Sequence, residues 1–482
     1  AMDEFDVVVI GGGPVGENVA DRAVRAGLTA ALVESEKFGG ECSYWACMPS
    51  KALLRPGQAL REAQHVRGAL AGEAALDPSE VFARRDAVVR NWDDAGQVQW
   101  AQGAGITTIR GQGRLAGPRR VAVVGPDGAE TVLTARHAVV VATGTDAAVP
   151  DIPGLRAAAP WTSREATSAK AAPPRLAVIG GGVVATEMAT AYASLGSRVT
   201  LLARSGLLTG LEPFAGEAVG DGLRALGVDV VTGESPTRVT RAGGEVTIET
   251  SAGRTVVADE VLAATGRAPR TVDLGLETIG LEPGSWLAVD DTLRVEGFDW
   301  LYAAGDVNHR ALLTHQGKYQ ARAAGDAIAA RARGATVDDA AWGAHVATAD
   351  HTAVPQVIFT EPEVAAIGGD IRPLRFALGL GLILLGLAGG LVGLVAESTA
   401  VQTVASMAVL LVPAAASAQA VNDYPTEARV EYVLACMATN GESPDALRRC
   451  SCSIDNIATV LPYERYVAAE TVLRMQQVSG DR

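Results

Sequence analysis

The feature that most constrains this chain is a unit of strand, glycine-rich loop, helix and strand that occurs twice. Residues 6–10 read as a short apolar strand, followed by Gly11-x-Gly13-x-x-Gly16 and an alanine-rich helical stretch to Ala26; a second strand over 29–33 ends at Glu34. The same order recurs as Arg175–Ile179, Gly180-x-Gly182-x-x-Ala185, a helix through about Leu195, and a strand over Arg198–Ala203. Strands joined through a helix imply parallel α/β layers, and glycines at the turn let backbone N–H groups approach a pyrophosphate at the helix N-terminus. A carboxylate such as Glu34 at the end of the second strand accepts from ribose hydroxyls. A glycine fingerprint alone is weak, because such turns are common; strand, helix and acid in register strengthen it. Two further apolar strands, 137–141 into Ala142-Thr143-Gly144 and Glu260–Ala263 into Ala264-Thr265-Gly266, each close one of the two units.

At 482 residues the chain exceeds the ~250–300 residues at which a single core stops growing, so two or three folded units are expected. Its net charge is −14 and its basic residues are scattered. Nothing forms the stripe that neutralises phosphates, so nucleic acid is not an expected partner. Five cysteines are too few for a disulfide scaffold at this length, and no charged-plus-apolar leader opens the sequence. Residues 1–369 are therefore expected to be cytoplasmic, where closely spaced cysteines are more often metal ligands or redox centres than staples.

Cys42 and Cys47 are such a pair, following Gly39-Gly40 and preceding Met48-Pro49-Ser50-Lys51. Four intervening residues bring two sulfurs into bonding range if the segment turns helically, and a helix N-terminus or nearby cation lowers a thiolate pKa. A metal site would need further ligands, and no other Cys or His is near in sequence, so no metal is expected. Two buried small residues that happen to be cysteines are the unreactive alternative. In the second unit the strand ends Leu202-Ala203-Arg204 where the first ends Val33-Glu34. No carboxylate stands there to hold a free 2′-hydroxyl, and Arg204 can pair with a 2′-phosphate, which favours NADPH over NADH; an ordinary solvated charge is the bland alternative.

Together these pieces make residues 1–369 resemble the class I pyridine nucleotide-disulfide oxidoreductases, which include dihydrolipoamide dehydrogenase, glutathione reductase and mercuric reductase. The resemblance is carried in the family's order by the first glycine loop with Glu34, Gly39-Gly40-Glu41-Cys42 to Cys47-Met48-Pro49-Ser50-Lys51, residues 180–187, Ala264-Thr265-Gly266-Arg267-x-Pro269, and Tyr302-Ala303-Ala304-Gly305-Asp306. It implies FAD held by Gly11, Gly13, Gly16, Glu34, Thr143, Gly144 and Asp306, and a nicotinamide nucleotide at Gly180, Gly182, Ala185, Arg204 and Gly266. Cys47 would face the flavin as a thiolate, and Cys42 would be the outer thiol that exchanges with substrate. Lys51 would lie near the flavin nitrogen and pair with Glu187. Asp306 would hold the ribityl chain, with Thr314 and His315 starting a helix beside the pyrimidine end of the ring.

The fold implied is α/β, with two Rossmann-like FAD and NAD(P) domains, each three-layered. The FAD domain with the redox disulfide takes residues 1–150, the NAD(P) domain 151–270, and the FAD domain resumes over 271–350. Three departures from the family stand out: Glu41 replaces its Thr, Tyr44 replaces its Asn between the cysteines, and no histidine follows His351. Residues 355–363 resemble the opening strand of the family's interface domain, leaving 351–369 as a stub, so the usual homodimer is expected to be weakened or lost. Beyond Asp370 the pattern changes. Residues 376–396 carry no charge, behind Arg372 and Arg375, and suggest a membrane helix over 370–398. A signal-like apolar segment, 399–420, and a helical tail, 421–482, with Cys436, Cys450 and Cys452 follow.

The expected chemistry runs from NADPH through FAD to the Cys42–Cys47 disulfide, with a low-molecular-weight disulfide, dihydrolipoamide in reverse, or a bound metal ion open as acceptor. A flavin oxidase or quinone reductase is the rival enzyme reading. A join of a truncated reductase to an unrelated membrane or secreted segment, binding cofactor with little turnover, is the non-enzyme reading.

Overall fold

The structure, a computed structural model, describes residues 3–66 and 74–368. The expected membrane helix over 370–398, the segment 399–420 and the tail 421–482 lie outside the described residues. Among the described residues no helix is long and apolar enough to cross a membrane.

The first sheet grows from β1 (Glu4–Ile10), whose residues from Phe5 onward are all buried, the pattern of a parallel strand covered on both faces. It leads through Gly11–Gly13 into α1 (Pro14–Arg25). Pro14 opens that helix where an N–H would be unpaired anyway, while Glu17 in the first turn and Arg22 and Arg25 in the last complement its dipole. β2 (Ala30–Glu34) pairs in parallel with β1, Ile10 opposite Val33. After α2 (Gly40–Tyr44), α3 (Cys47–His65), α4 (Pro78–Val88) and α5 (Ala95–Gly103), β3 (Thr107–Arg110) extends the sheet beyond β2. β4 (Gln112–Leu115), β5 (Arg120–Val124) and β6 (Glu130–Val141) follow.

β6 is longer than the strand expected over 137–141. Its first half alternates exposed and buried residues and pairs antiparallel with β5, whereas its apolar second half joins β1 in parallel, Ile10 opposite Val141. Only the second half has the continuous apolar run that marks a central strand; the first half reads as an ordinary meander.

β7 (Thr145–Ala147) and α6 (Ser163–Ser168), the latter opened by a Thr162/Glu165 capping box, lead to the second unit. Here β8 (Arg175–Ile179), α7 (Val183–Ser194), β9 (Arg198–Ala203), α8 (Pro213–Ala225) and β10 (Asp229–Thr232) are followed by the meander β11 (Pro236–Ala242), β12 (Glu245–Thr250) and β13 (Thr255–Ala258), and then β14 (Glu260–Ala263). The parallel order is β10-β9-β8-β14. β15 (Arg267–Pro269) pairs with β7, tying the end of this unit to the end of the first. β16 (Leu301–Ala303) returns to the first sheet beside β6, Ala303 opposite Val141. α9 (Thr314–Ala332) and α10 (Ala349–Thr352) precede a hairpin of β17 (Pro355–Ile358) and β18 (Val364–Ile367), which falls in the expected stub.

Two consequences place the site. The registers bring the glycine loop after β1, Glu34, Thr143 after β6 and Asp306 after β16 to one carboxyl edge of the first sheet, where open α/β sheets bind ligands. The helices α3 and α4 send Leu53, Leu54, Val81 and Phe82 into the core around Met188 and Tyr192 of α7. Each such side chain contributes about 1.5–3 kcal/mol on burial, so the segment carrying Cys47 is fixed against the second unit.

Candidate active site

A cleft open to solvent runs along that edge from Glu34 over the glycine loop to Asp306, Thr314 and Cys42. Gly11, Gly13, Thr143 and Gly144 line it as well. Gly16 lies behind: a Cβ there would stand 1.9 Å from the Gly11 carbonyl oxygen, so only glycine lets α1 approach the loop. At Gly13 the nearest heavy atom to an added Cβ is Gly40 Cα at 3.8 Å, and the space beyond belongs to the cleft.

The polar groups fit a dinucleotide. The Glu34 carboxylate accepts from the backbone N–H of Gly12 at 2.7 Å and of Glu36 at 2.6 Å, and each oxygen keeps a lone pair for a ribose hydroxyl. Asp306 accepts from the Thr145 hydroxyl at 2.8 Å, and burial pushes its carboxyl above the usual range. The Thr143 hydroxyl is buried without a hydrogen-bond partner. An unpaired polar atom in a cleft is a place for a ligand atom.

The residues expected at a nicotinamide nucleotide gather at the corresponding edge of the second sheet. Gly180 and Gly182 follow β8, and nothing lies within 4 Å of a Cβ built on Gly182. Ala185 is fully buried in α7, Arg204 is exposed just past β9, and the Gly266 carbonyl accepts from Ala148 N–H at 2.9 Å. None of these five lines the first cleft.

The cysteine pair spans a helix break. Cys42 sits in α2, the chain turns at Trp45 and Ala46, and Cys47 is the first residue of α3. Both are free thiols. Cys42 lines the cleft, while the Cys47 sulfur lies 3.3 Å from the hydroxyl of Thr314, another lining residue. A hydrogen bond from Cys42 and then the charge of Lys51 and the Thr314 hydroxyl outweigh burial and bring Cys47 down to about 7. Its place at a helix N-terminus acts in the same direction. The same bond and burial push the Cys42 thiol up. The pair thus divides into Cys47, which ionises near neutral pH, and Cys42, which is held as the thiol.

Lys51, one turn into α3, meets Glu187 of α7 at 2.8 Å. The second Glu187 oxygen accepts from Phe359 N–H at 3.1 Å, and the Lys51 ammonium lies 4.7 Å from the Phe359 ring centre. The expected Lys51–Glu187 pair is therefore formed. Thr314 and His315 start α9 as expected, but the His315 ring turns elsewhere. Its Nε2–H donates to the Pro355 carbonyl at 2.6 Å and burial lowers its pKa, so a neutral ring anchors α9 to β17 and does not line the cleft.

Glu17 is a residue the sequence reading passed over, although a carboxylate directly after Gly16 on the inner face of a helix was the available signal. It is 6% exposed, and one oxygen has no hydrogen-bond partner. Burial, and secondarily the Glu34 charge against the Lys318 charge, raises it to about 7. A raised carboxyl favours the protonated fold, so this stability is lost as pH rises through about 7. Glu17→Gln is expected to stabilise the protein by up to about 3 kcal/mol near pH 8 and by little near pH 5, read as the shift of the denaturant midpoint.

Comparisons with known proteins give the family and the fold. The family profile described as "Pyridine nucleotide-disulphide oxidoreductase" matches residues 5–327. A mercuric reductase from Acidithiobacillus ferrooxidans is 36% identical over 371 residues, 76% of this chain and 65% of that protein. A glutathione reductase from Burkholderia cepacia is 31% identical over 370 residues, 76% of this chain and 77% of that protein. The chain spans somewhat less than two thirds of the mercuric reductases it matches, 63% in the case of the Shigella flexneri protein. Among solved structures, the Cu(II) complex of the HOCl-induced flavoprotein disulfide reductase RclA from Escherichia coli shares the fold, with a TM-score of 0.65 at 24% identity, over 78% of this chain and 80% of that one. On the extent of the family match, the chain belongs to the pyridine nucleotide-disulphide oxidoreductases, an enzyme family that pairs FAD with a pyridine nucleotide.

Proposed function

We propose that this protein carries electrons from NADPH through FAD to the Cys42–Cys47 pair and on to a small disulfide or another thiol-reactive acceptor. The observation that carries the reading is the Cys47 thiol, lowered to about 7 by the Cys42 hydrogen bond and the charge of Lys51, which pairs with the buried Glu187, and lying beside the cleft residue Thr314. Bound FAD supplies the two-electron exchange between nucleotide and dithiol.

The residues divide the remaining work. The glycine loop and the α1 N-terminus take the pyrophosphate, Glu34 a ribose, and Asp306 the hydroxylated chain between pyrophosphate and ring. Lys51 holds a fixed positive charge that Glu187 keeps in place. In exchange with a disulfide, Cys42 passes its proton along its hydrogen bond to the Cys47 sulfur and attacks one substrate sulfur, and the departing thiolate takes that proton from Cys47 and leaves as the first product thiol. Cys47, again a thiolate, attacks the Cys42 sulfur, so the Cys42–Cys47 bond re-forms as the mixed disulfide breaks and the second product leaves as a thiolate that solvent protonates.

The nucleotide preference rests on Arg204 standing exposed where β2 of the first unit ends in Glu34. Replacing Ala203 by Glu and Arg204 by Ser is expected to shift preference toward NADH by roughly tenfold to a hundredfold, since a cation on a phosphate is exchanged for a carboxylate on a hydroxyl. Flavin bleaching rates with the two nucleotides measure it. Equal rates in the unaltered protein would contradict the NADPH assignment.

A further inference from the structure

A chain of ion pairs at the mouth of the cleft plays no part in this electron route. Glu41, directly before Cys42, places one carboxylate oxygen 2.7 Å from Arg164 Nε and accepts through the same oxygen from Arg270 Nη2 at 2.9 Å. Arg164 also donates to Glu36 at 2.5 Å and lies 3.9 Å over the Trp45 ring, while Arg270 donates to Asp146 at 2.6 Å. The arginines come from one wall: Arg164 from α6, and Arg270 from just after β15, where its backbone N–H is fixed to the Gly144 carbonyl at 3.1 Å. Their partners Glu36, Glu41 and Trp45 come from the other wall, and all five line the cleft.

The turn that presents Glu41 is pressed onto the glycine loop. Gly40 has φ 56°, and a Cβ on it would lie 2.7 Å from Gly13 Cα. The ion pairs therefore cross the cleft beside the place where the loop takes a pyrophosphate. Three carboxylates, Glu36, Glu41 and Asp146, face two guanidiniums, so the group has no surplus positive charge to attract an anion. It is arranged to close on itself.

We propose that Glu41 is the central residue of a strap that retains the dinucleotide, a role that rests on the FAD reading above. With FAD in the cleft, release requires Arg164 and Arg270 to leave Glu41. The second Glu41 oxygen, buried and without a hydrogen-bond partner, is an acceptor for a hydroxyl beneath the strap.

The test is the rate of FAD release from the holoprotein, followed by the rise of free-flavin fluorescence, for the unaltered chain, Glu41→Gln, Arg270→Gln and the double variant. Glu41→Gln should speed release about tenfold and Arg270→Gln by less, because the Arg164–Glu41 pair stays in the latter; the double should release no faster than Glu41→Gln, which already removes both pairs. Raising the salt concentration should speed the unaltered protein toward the variants. Additive effects, or release in Glu41→Gln that is unchanged, overturn the strap; slower release would mean that Glu41 opposes the pyrophosphate instead. Far-ultraviolet circular dichroism checks each variant, and if Glu41→Gln does not fold, Arg270→Gln with its salt dependence decides. An unaltered protein that binds no FAD refutes the cofactor assignment, which is a separate outcome.

Discussion

Cys47→Ser is expected to abolish the long-wavelength absorbance of the two-electron-reduced protein, whereas Cys42→Ser should show that absorbance with no reductant added. The reason is the division of the pair: Cys47 is the sulfur lowered to about 7, and removal of Cys42 leaves it unable to form a disulfide. The serine hydroxyl in Cys42→Ser can still donate to the Cys47 sulfur, so its thiolate survives. The band should grow as pH rises through about 7 and fade below it. Stability follows the same sign, because a lowered thiol contributes in full above its unfolded pKa and loses that contribution as pH falls through about 7. Either substitution should cut disulfide reduction by on the order of a thousandfold or more, since thiol exchange needs both sulfurs. A free-flavin spectrum in both variants at every pH would remove the redox-dithiol assignment.

Gly13→Val should separate folding from cofactor binding. Gly13 has φ −76° and ψ 179°, open to any residue, and a Cβ there meets only Gly40 Cα at 3.8 Å. The branched side chain would project into the space where the loop's N–H groups meet a pyrophosphate. The apoprotein is expected to unfold at nearly its usual midpoint while FAD affinity falls by on the order of a thousandfold, about 4 kcal/mol. Titration of apoprotein with FAD, followed by quenching of flavin fluorescence, measures it. Gly16→Ala is the contrast: with 1.9 Å to the Gly11 oxygen it should damage the fold itself.

What could be read from the sequence follows from where the information resides. β8, β9 and β14 are continuous apolar runs bounded by turns, and their limits stand in the structure as they read in the chain. β3, β4 and β5 are short and partly exposed, so no run of apolar residues announces them. Residues on the loops that leave the central strands, from Gly11 to Asp306, were legible because each belongs to a local motif. The Lys51–Glu187 contact came through the family resemblance, since nothing local joins residues 136 positions apart. Arg164 and Arg270 were illegible for the same reason and lie in no motif, and although Trp45 stands between the two cysteines, nothing local joins it to Arg164. His315 was placed by analogy at the ring, yet its bond to Pro355 depends on how β17 packs, which the local sequence does not encode.

The central claim is that one FAD and one redox-active dithiol act in series in this chain. Anaerobic reductive titration of the holoprotein tests it most directly. The account predicts four electrons per flavin, two for the flavin and two for the Cys42–Cys47 disulfide, with the long-wavelength band reaching its maximum after the first two. Full reduction by two electrons, with no such band on the way, would contradict it.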